Sequence, residues 1–378
     1  MSGRKKILLL GDYSNCHAHL AQGLRQLDCD VTVMCPVNYL SDNANVIDTS
    51  RRDGKLGGIH LFLKAFYKWH KKMAGYDIVA INDPNFMLLR PERLSPLFRR
   101  LKNENDAVFY TAMSTDVNYQ RMCAEKHSPL RYCEFFIDGK PSPWFLQDPG
   151  RWEKWHSKSL SDYQDYVFNN LDGAVSVLYE YHLGLKYRFV PDMIAYGGIP
   201  VVTDEIPLLG PATGGKIRIF LGRDRKRIRM KGTDLLEIAA KRVASKYPEK
   251  IELKIAENIP YPLFIEELKK SDIVLDQVYS YTPATTALLA MAMGKTVVSG
   301  GEPEFYEFIG EPLNHPIVNA SLDIDTLASQ IEEIALDRHY LFENAEKSRA
   351  FIEKHNKETV VAKRFLDFWT KRLNQATT

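Results

Sequence analysis

The stretch DIVLDQVYSYTPATTALLAMAMGKTVVSGGEPEF, Asp272–Phe305, runs in order through a short apolar strand, a Thr-Pro helix start, a helix of small and apolar residues, a glycine stop and a second apolar strand. Thr282 suits an N-cap, Pro283 the first helical position, and Gly294 the left-handed residue that ends a helix. The spacing predicts a helix over Pro283–Met293 between the strands DIVLD and TVVSG. Apolar runs joined by one helix form parallel strands covered on both faces. The first amides of that helix, near Ala284, Thr285 and Thr286, suit a phosphate, because a helix start carries free donors and positive charge. A well-capped core helix satisfies the same pattern.

The same alternation extends on both sides of this stretch. Toward the N-terminus, Lys6–Leu10, Val31–Met34, Ile78–Ile81, Val108–Thr111 and Ala174–Leu178 read as buried strands, with a helical period at Leu20, Leu24 and Leu27 between the first two. A second series starts at KIRIFLG (Lys216–Gly222) and continues through IELKIA, DIVLD, TVVSG and HPIVNA. Between the series lies a Gly- and Pro-rich stretch without helical period. The expected fold is α/β, with two Rossmann-like domains facing across a cleft and helices at the C-terminus. Residues 1–198 are the first domain, with an irregular insertion over 117–172; 199–216 are a linker; 217–355 are the second domain; and 356–378 are a helix expected to pack back on the first.

A chain of 378 residues, 45% hydrophobic and 26% charged, has the size and composition of a two-domain soluble enzyme. A formal net charge of +2 gives no reason to expect a nucleic-acid partner. The five cysteines are odd in number and form no Cys-x-x-Cys pair, so neither a disulfide framework nor a zinc cluster is expected, and a reducing cytoplasm is the expected location. MSGRKKILLL is too short for a signal sequence or a membrane span.

After the first strand, Gly11 stands alone: Tyr13 and Cys16 occupy the places of the second and third glycines of a dinucleotide loop, which disfavours close approach of a dinucleotide pyrophosphate. Gly11, Asp12, Asn15 and His17 are small or polar enough to face a ligand on the acceptor side; the alternative is a helix start capped by Asn15. In the second series, Arg223 follows a strand directly and Lys231-Gly232 opens a helix, within a cationic run that is otherwise a solvated face. Two cations and helix-end amides at the carboxyl edge of a sheet suit a diphosphate. Asp28-Cys29-Asp30 and Asp323-Ile324-Asp325 carry the Asp-x-Asp pattern but fall in turns and helix approaches, and His17 and His19 point to different faces of a helix. No metal is expected.

Phe62, Phe66, Trp69 and Met73 form one helical stripe over 60–73, flanked by Lys64, Lys68, Lys71 and Lys72, and PLFRRLK adds a basic-aromatic run over 96–102. Two readings stand: peripheral contact with an anionic membrane, or packing against the sheet.

Arg223, Lys231-Gly232, YPLFIEELKKSDIVLDQ, LLAMAMGKTVVSGG and Pro303-Glu304 occur in the order found in the donor domain of the GT-B glycosyltransferases, and the chain most resembles glycosyltransferase family 4, group 1. The resemblance spans nearly the whole chain, with its sharp motifs between about Gly222 and Glu304. It implies a retaining, metal-independent transfer from a nucleoside-diphosphate sugar to a glycan or lipid-linked acceptor, in polysaccharide or glycoconjugate synthesis, with no cofactor beyond that substrate. The enzyme would work in the cytoplasm or at the inner face of the membrane.

By position, Arg223 and Lys231 are implied to stabilise the departing diphosphate, and Ile259, Pro260 and Tyr261 to approach the base. The family's paired glutamates, which contact the donor sugar and the ribose, fall on Tyr281 and Leu289, and neither is a carboxylate. Losing two charge-assisted hydrogen bonds of roughly 1.5–3 kcal/mol each demands replacements. Asp276, Gln277, Tyr279, Thr285, Thr286, Glu302 and Glu304 lie near enough in sequence to supply them, so a rebuilt donor site is expected. On the acceptor side, Asp116 of TAMSTD is the matching polar residue of a loop whose histidine is missing. A nucleotide-sugar 2-epimerase and a non-catalytic sugar-nucleotide binder share the architecture and are the alternatives.

Overall fold

Most strands of the two large sheets are short runs of apolar or β-branched residues, and all pair in parallel. A computed structural model describes residues 4–36, 46–54 and 56–376. The chain divides into two compact units: the first takes 1–122, 149–200 and 358–378, the second 123–148 and 201–357.

Among the described residues the first unit holds seven strands: β1 (Lys6–Leu10), β2 (Asp30–Cys35), β3 (Val46–Asp48), β4 (Ile78–Ile81), β5 (Ala107–Ala112), β6 (Gly173–Ser176) and β7 (Ile194–Tyr196), ordered β3-β2-β1-β4-β5-β6-β7. Their side chains meet those of the flanking helices in a core that includes Leu8, Leu10, Val79, Phe98 and Val167. Helix α1 (Cys16–Gln26) lies against the C-terminal helix Glu358–Ala376, and a Cβ on Gly23 would sit 2.2 Å from the Glu358 carbonyl oxygen. That C-terminal helix buries Phe365 and Trp369 completely, with the Trp369 ring centroid 5.9 Å from that of Phe109.

The second unit holds β8 (Ile217–Arg223), β9 (Ile251–Glu257), β10 (Ile273–Leu275), β11 (Thr296–Ser299) and β12 (Ile317–Asn319), ordered β9-β8-β10-β11-β12. Strand order reverses beside β8, and the crevice outside the carboxyl ends at such a reversal is where open parallel sheets take their ligands.

The insertion differs from the expected irregular block. Lys158–Asn169 is a regular crossover helix leading into β6, burying Tyr163, Gln164, Val167 and Phe168. Its apolar face is interrupted by Gln164, which hides the period. Residues 123–148 belong to the second unit. Nor is 199–216 a loose linker: Val201 bridges to Lys357, and Arg349 donates to the carbonyls of Thr203 and Ile206 at 3.1 and 2.9 Å.

The region 60–73 also departs from one continuous helix. It begins in α2 (Gly57–Leu63), widens into a π-helical turn over Lys64–Lys68 and ends in a 3-10 turn at His70–Lys72. Trp69 and Met73 are buried, and Phe62 and Phe66 pack against the same core. Leu97, Phe98 and Leu101 are buried likewise. Both aromatic runs thus turn inward, and it is a different stripe of α2 that faces solvent.

Candidate donor site of the second unit

At the carboxyl end of β10 the chain leaves the sheet through Asp276, whose side chain is 1% exposed. Three donors meet this carboxylate: the Lys231 ammonium at 3.2 Å, the Ser299 hydroxyl at 3.0 Å and the Ala284 amide at 3.4 Å. A buried carboxylate needs such compensation. Asp276 thereby joins the ends of β10 and β11 to the start of helix α3 (Thr285–Ala292).

That start lies two residues beyond the expected one. Ala284 stands in the cap position and contributes no side-chain cap. Thr282 serves instead through its carbonyl, which accepts from Gln277 Nε2 at 3.2 Å and from the Ser280 hydroxyl at 2.8 Å. Thr285 and Thr286 are partly exposed in the first turn. Leu289 is buried within α3 among apolar neighbours, so that position belongs to the core.

Arg223 is placed differently from its expected role. Its guanidinium, 9% exposed, donates to Glu257 from Nε and Nη2 at 2.9 and 2.6 Å and pairs with Glu237 at 2.5 Å. Burial opposes its charge, but the bonds to Glu257 and Glu237 outweigh that and push its pKa up. A cation already closed by two carboxylates offers a diphosphate little, so Arg223 ties the end of β8 to β9 and to the helix Thr233–Lys246. Lys231, at the carboxyl side of β8, remains part of the rim. Ile259, Pro260 and Tyr261 lie past β9, where Tyr261 begins a helix, is 45% exposed and stacks toward Phe264.

Tyr281 is buried, and its hydroxyl accepts from the Arg131 amide at 2.8 Å and from Arg131 Nε at 3.2 Å. Arg131 also pairs with Glu302 at 2.5 Å and with Glu304 at 3.2 Å. Tyr132 stacks obliquely on Tyr281 at 4.9 Å and donates to Glu302, which Asn319 meets at 2.9 Å. Burial works against ionisation of Glu302, yet the bonds from Asn319, Tyr132 and Arg131 hold its pKa below the usual range. Arg131 and Tyr132 escaped the sequence reading because they sit in the insertion, far from any motif.

The candidates of the first unit gather at the carboxyl edge of its sheet, but as structure. Gly11 takes φ +79°, and a Cβ there would lie 1.9 Å from Asn82 Oδ1. Asn15 holds the cap position in a left-handed conformation without a side-chain cap; Asp12 caps α1 instead, accepting from the amides of His17 and Ala18 at 3.0 and 3.1 Å. Burial raises Asp12 to about 7 against those bonds. His17 is fully buried. Asp116 is buried too, bonding Tyr110 and the amides of Asn118 and Tyr119, and burial lifts it to about 6.

Asp28 pairs with Arg4, Asp323 caps the helix Ile324–Leu336, and Asp325 pairs with Arg242. Among the described residues no group of three His, Cys, Asp or Glu side chains is set to hold a metal, and no helix is long and apolar enough to cross a membrane.

No protein-family model and no curated protein matches the chain. Solved structures do. Sucrose-phosphate synthase from Thermosynechococcus elongatus superposes over 99% of this chain and 100% of its own, with a TM-score of 0.62 at 14% identity. The chain has the GT-B glycosyltransferase fold. HepE from Anabaena, solved with UDP and glucose, covers 97% of this chain and 100% of its own at a TM-score of 0.59 and 12% identity. The catalytic domain of starch synthase IV from Arabidopsis thaliana, solved with ADP and acarbose, covers 99% and 100% at 0.62 and 10%.

Proposed function

We propose that this GT-B chain is a glycosyltransferase that moves a sugar from a nucleoside-diphosphate sugar to a glycan or lipid-linked acceptor, with retention and without a metal. The observation that carries the reading is the junction of Lys231, Asp276 and the start of α3 at the carboxyl edge of the second sheet. A diphosphate at that edge would meet the Lys231 ammonium and the first amides of α3, which stabilise the charge that develops as the sugar leaves. Asp276 holds Lys231 at the rim before substrate arrives. Arg223 acts one step removed, by tying the end of β8 to Glu257 and to Glu237 of the helix that follows Lys231. Structural relatives solved with UDP or ADP support a nucleotide of this kind.

The test begins with thermal stability in the presence of UDP, ADP and GDP. One of them should raise the unfolding temperature, and Lys231→Ala should remove that rise and cut donor turnover at least a hundredfold. NMR of the product's anomeric centre then reads retention directly.

The closed Arg223 pairs and the two missing glutamates favour a second reading, a non-catalytic sugar-nucleotide binder. Nucleotide stabilisation without release of diphosphate in the presence of any acceptor would select it.

A peripheral seat at a membrane belongs to the same proposal. The surface that supports it is the outward face of α2 and the turn after it: Leu56, Ile59, Leu63 and Tyr67, with Leu56 73% exposed and Tyr67 67%. Lys68, Lys71 and Lys72 are exposed at one end and Arg51 and Arg52 at the other. Exposed apolar groups ringed by cations suit an anionic lipid surface.

A further inference from the structure

Position 281 is where the resemblance implies a carboxylate on the donor sugar, and the structure has used it for something else. The Tyr281 hydroxyl anchors the backbone and side chain of Arg131, which arrives from the insertion. That segment is firmly built into the second unit: Leu130, Tyr132, Cys133, Phe135 and Trp144 are all buried. The turn that follows β11 lies directly alongside, because the Glu302 amide donates to the Tyr281 carbonyl at 3.2 Å and Gly300 is pressed against Ser280. Two carboxylates therefore stand beside Tyr281, on Glu302 and Glu304.

They are not equivalent. Glu302 is 8% exposed and already accepts from Tyr132, Arg131 and Asn319. Glu304 is 44% exposed, and the Arg131 Nη2 sits across both of its oxygens at 3.2 and 3.5 Å. A carboxylate oriented by one cation, with its outer lone pairs facing solvent, is equipped to accept from two neighbouring hydroxyls. A pyranose ring offers such a pair.

We infer that Glu304 is the group that accepts hydroxyls of the donor sugar, and that Arg131 positions it, so the insertion 123–148 completes the sugar subsite of the second unit. The inference rests on the nucleotide-sugar reading above. It replaces the lost carboxylate at 281 with one delivered from the next turn, and it makes Tyr281 the anchor rather than the ligand. Glu302 is the fixed point of the cluster and does not touch sugar.

The sugar and the nucleotide can be separated by titration. UDP, ADP and GDP are compared calorimetrically with UDP-glucose, ADP-glucose and GDP-mannose, on wild type, Glu304→Gln, Arg131→Ala and Arg131→Lys. Glu304→Gln should weaken the sugar nucleotide about tenfold or more and leave its nucleoside diphosphate within twofold. Arg131→Ala should show the same selective loss, and Arg131→Lys should recover part of it. In turnover, Glu304→Gln should lower kcat/KM with the unfolding temperature unchanged, because its side chain is half exposed. Equal weakening of nucleotide and sugar nucleotide, or no weakening by Glu304→Gln, would overturn the inference while leaving the donor site standing. If wild type bound none of the three diphosphates, the underlying reading would fall instead.

Discussion

The Gly11 carbonyl accepts from His17 Nδ1 at 2.7 Å, which places the proton on that nitrogen, and Nε2 then accepts from the Thr111 hydroxyl at 3.0 Å. The ring is thus held neutral, and burial lowers its pKa to about 4 from an unfolded value near 6.5. Between those values the unfolded chain binds the extra proton, so the contribution of His17 is complete above pH 6.5 and is lost as pH falls toward 4. The full difference is about 3 kcal/mol. His17→Gln should therefore cost more at pH 7 than at pH 4.5 in urea unfolding; an equal cost at both would contradict a buried neutral ring. Gly11 gives a second test at this scale. Gly11→Ala forces a side chain into a left-handed residue and against Asn82, and should lose about 2 kcal/mol or more by the same measurement. Neither role was visible in the sequence. Asn15 looked like the cap, but Ser14 and Asn15 both take positive φ, which folds the loop back and lets Asp12 reach the amides of α1.

At the scale of elements, the sequence showed one aromatic stripe over 60–73 and left open whether it faced a membrane or the sheet. Phe62, Phe66, Trp69 and Met73 carry the aromatic weight and went to the core, while Leu56, Ile59, Leu63 and Tyr67 share a helical spacing and stayed outside. The π-helical turn over Lys64–Lys68 contributes to this, since a wider turn brings Tyr67 in line with Leu63. The triple substitution Leu56→Ser, Leu63→Ser, Tyr67→Ser should reduce co-sedimentation with phosphatidylglycerol vesicles at least fivefold and shift the unfolding temperature little. Wild type that ignores such vesicles at low salt would remove the membrane seat. Phe66→Ser should behave oppositely, lowering stability by about 2–4 kcal/mol through the core that Phe66 packs against and the Arg100 guanidinium over its ring. Strands β3 and β7, three residues each, passed unread, while the other ten strands described in the two large sheets were legible to within a residue or two. The helix Lys158–Asn169 was not, because its buried face includes a glutamine.

For the whole molecule, the alternation of strand and helix made the α/β architecture readable, and motifs between about Gly222 and Glu304 pointed to GT-B. What lay out of reach was the partition of the chain, which depends on contacts between residues far apart in sequence. Arg131 and Glu302 are separated by 171 positions. The second unit is consequently not contiguous, and a fragment spanning 201–357 should unfold at a lower temperature than the intact chain, because Tyr281 and Glu302 lose the side chains packed over them. Calorimetry of that fragment, with and without residues 123–148 joined by a flexible linker, measures the difference. The same division governs how the protein comes into being. Ribosomes extend chains at about 5–20 residues per second, so Arg131 waits roughly 10–30 s for Glu302 to be made. For much of that interval the segment 123–148 lacks most of the unit it belongs to. The first unit waits longer still, since Trp369 and Phe365 come only in the helix Glu358–Ala376. Neither half can close before its distant segments are made, which leaves the nascent chain more exposed to aggregation than the folded protein.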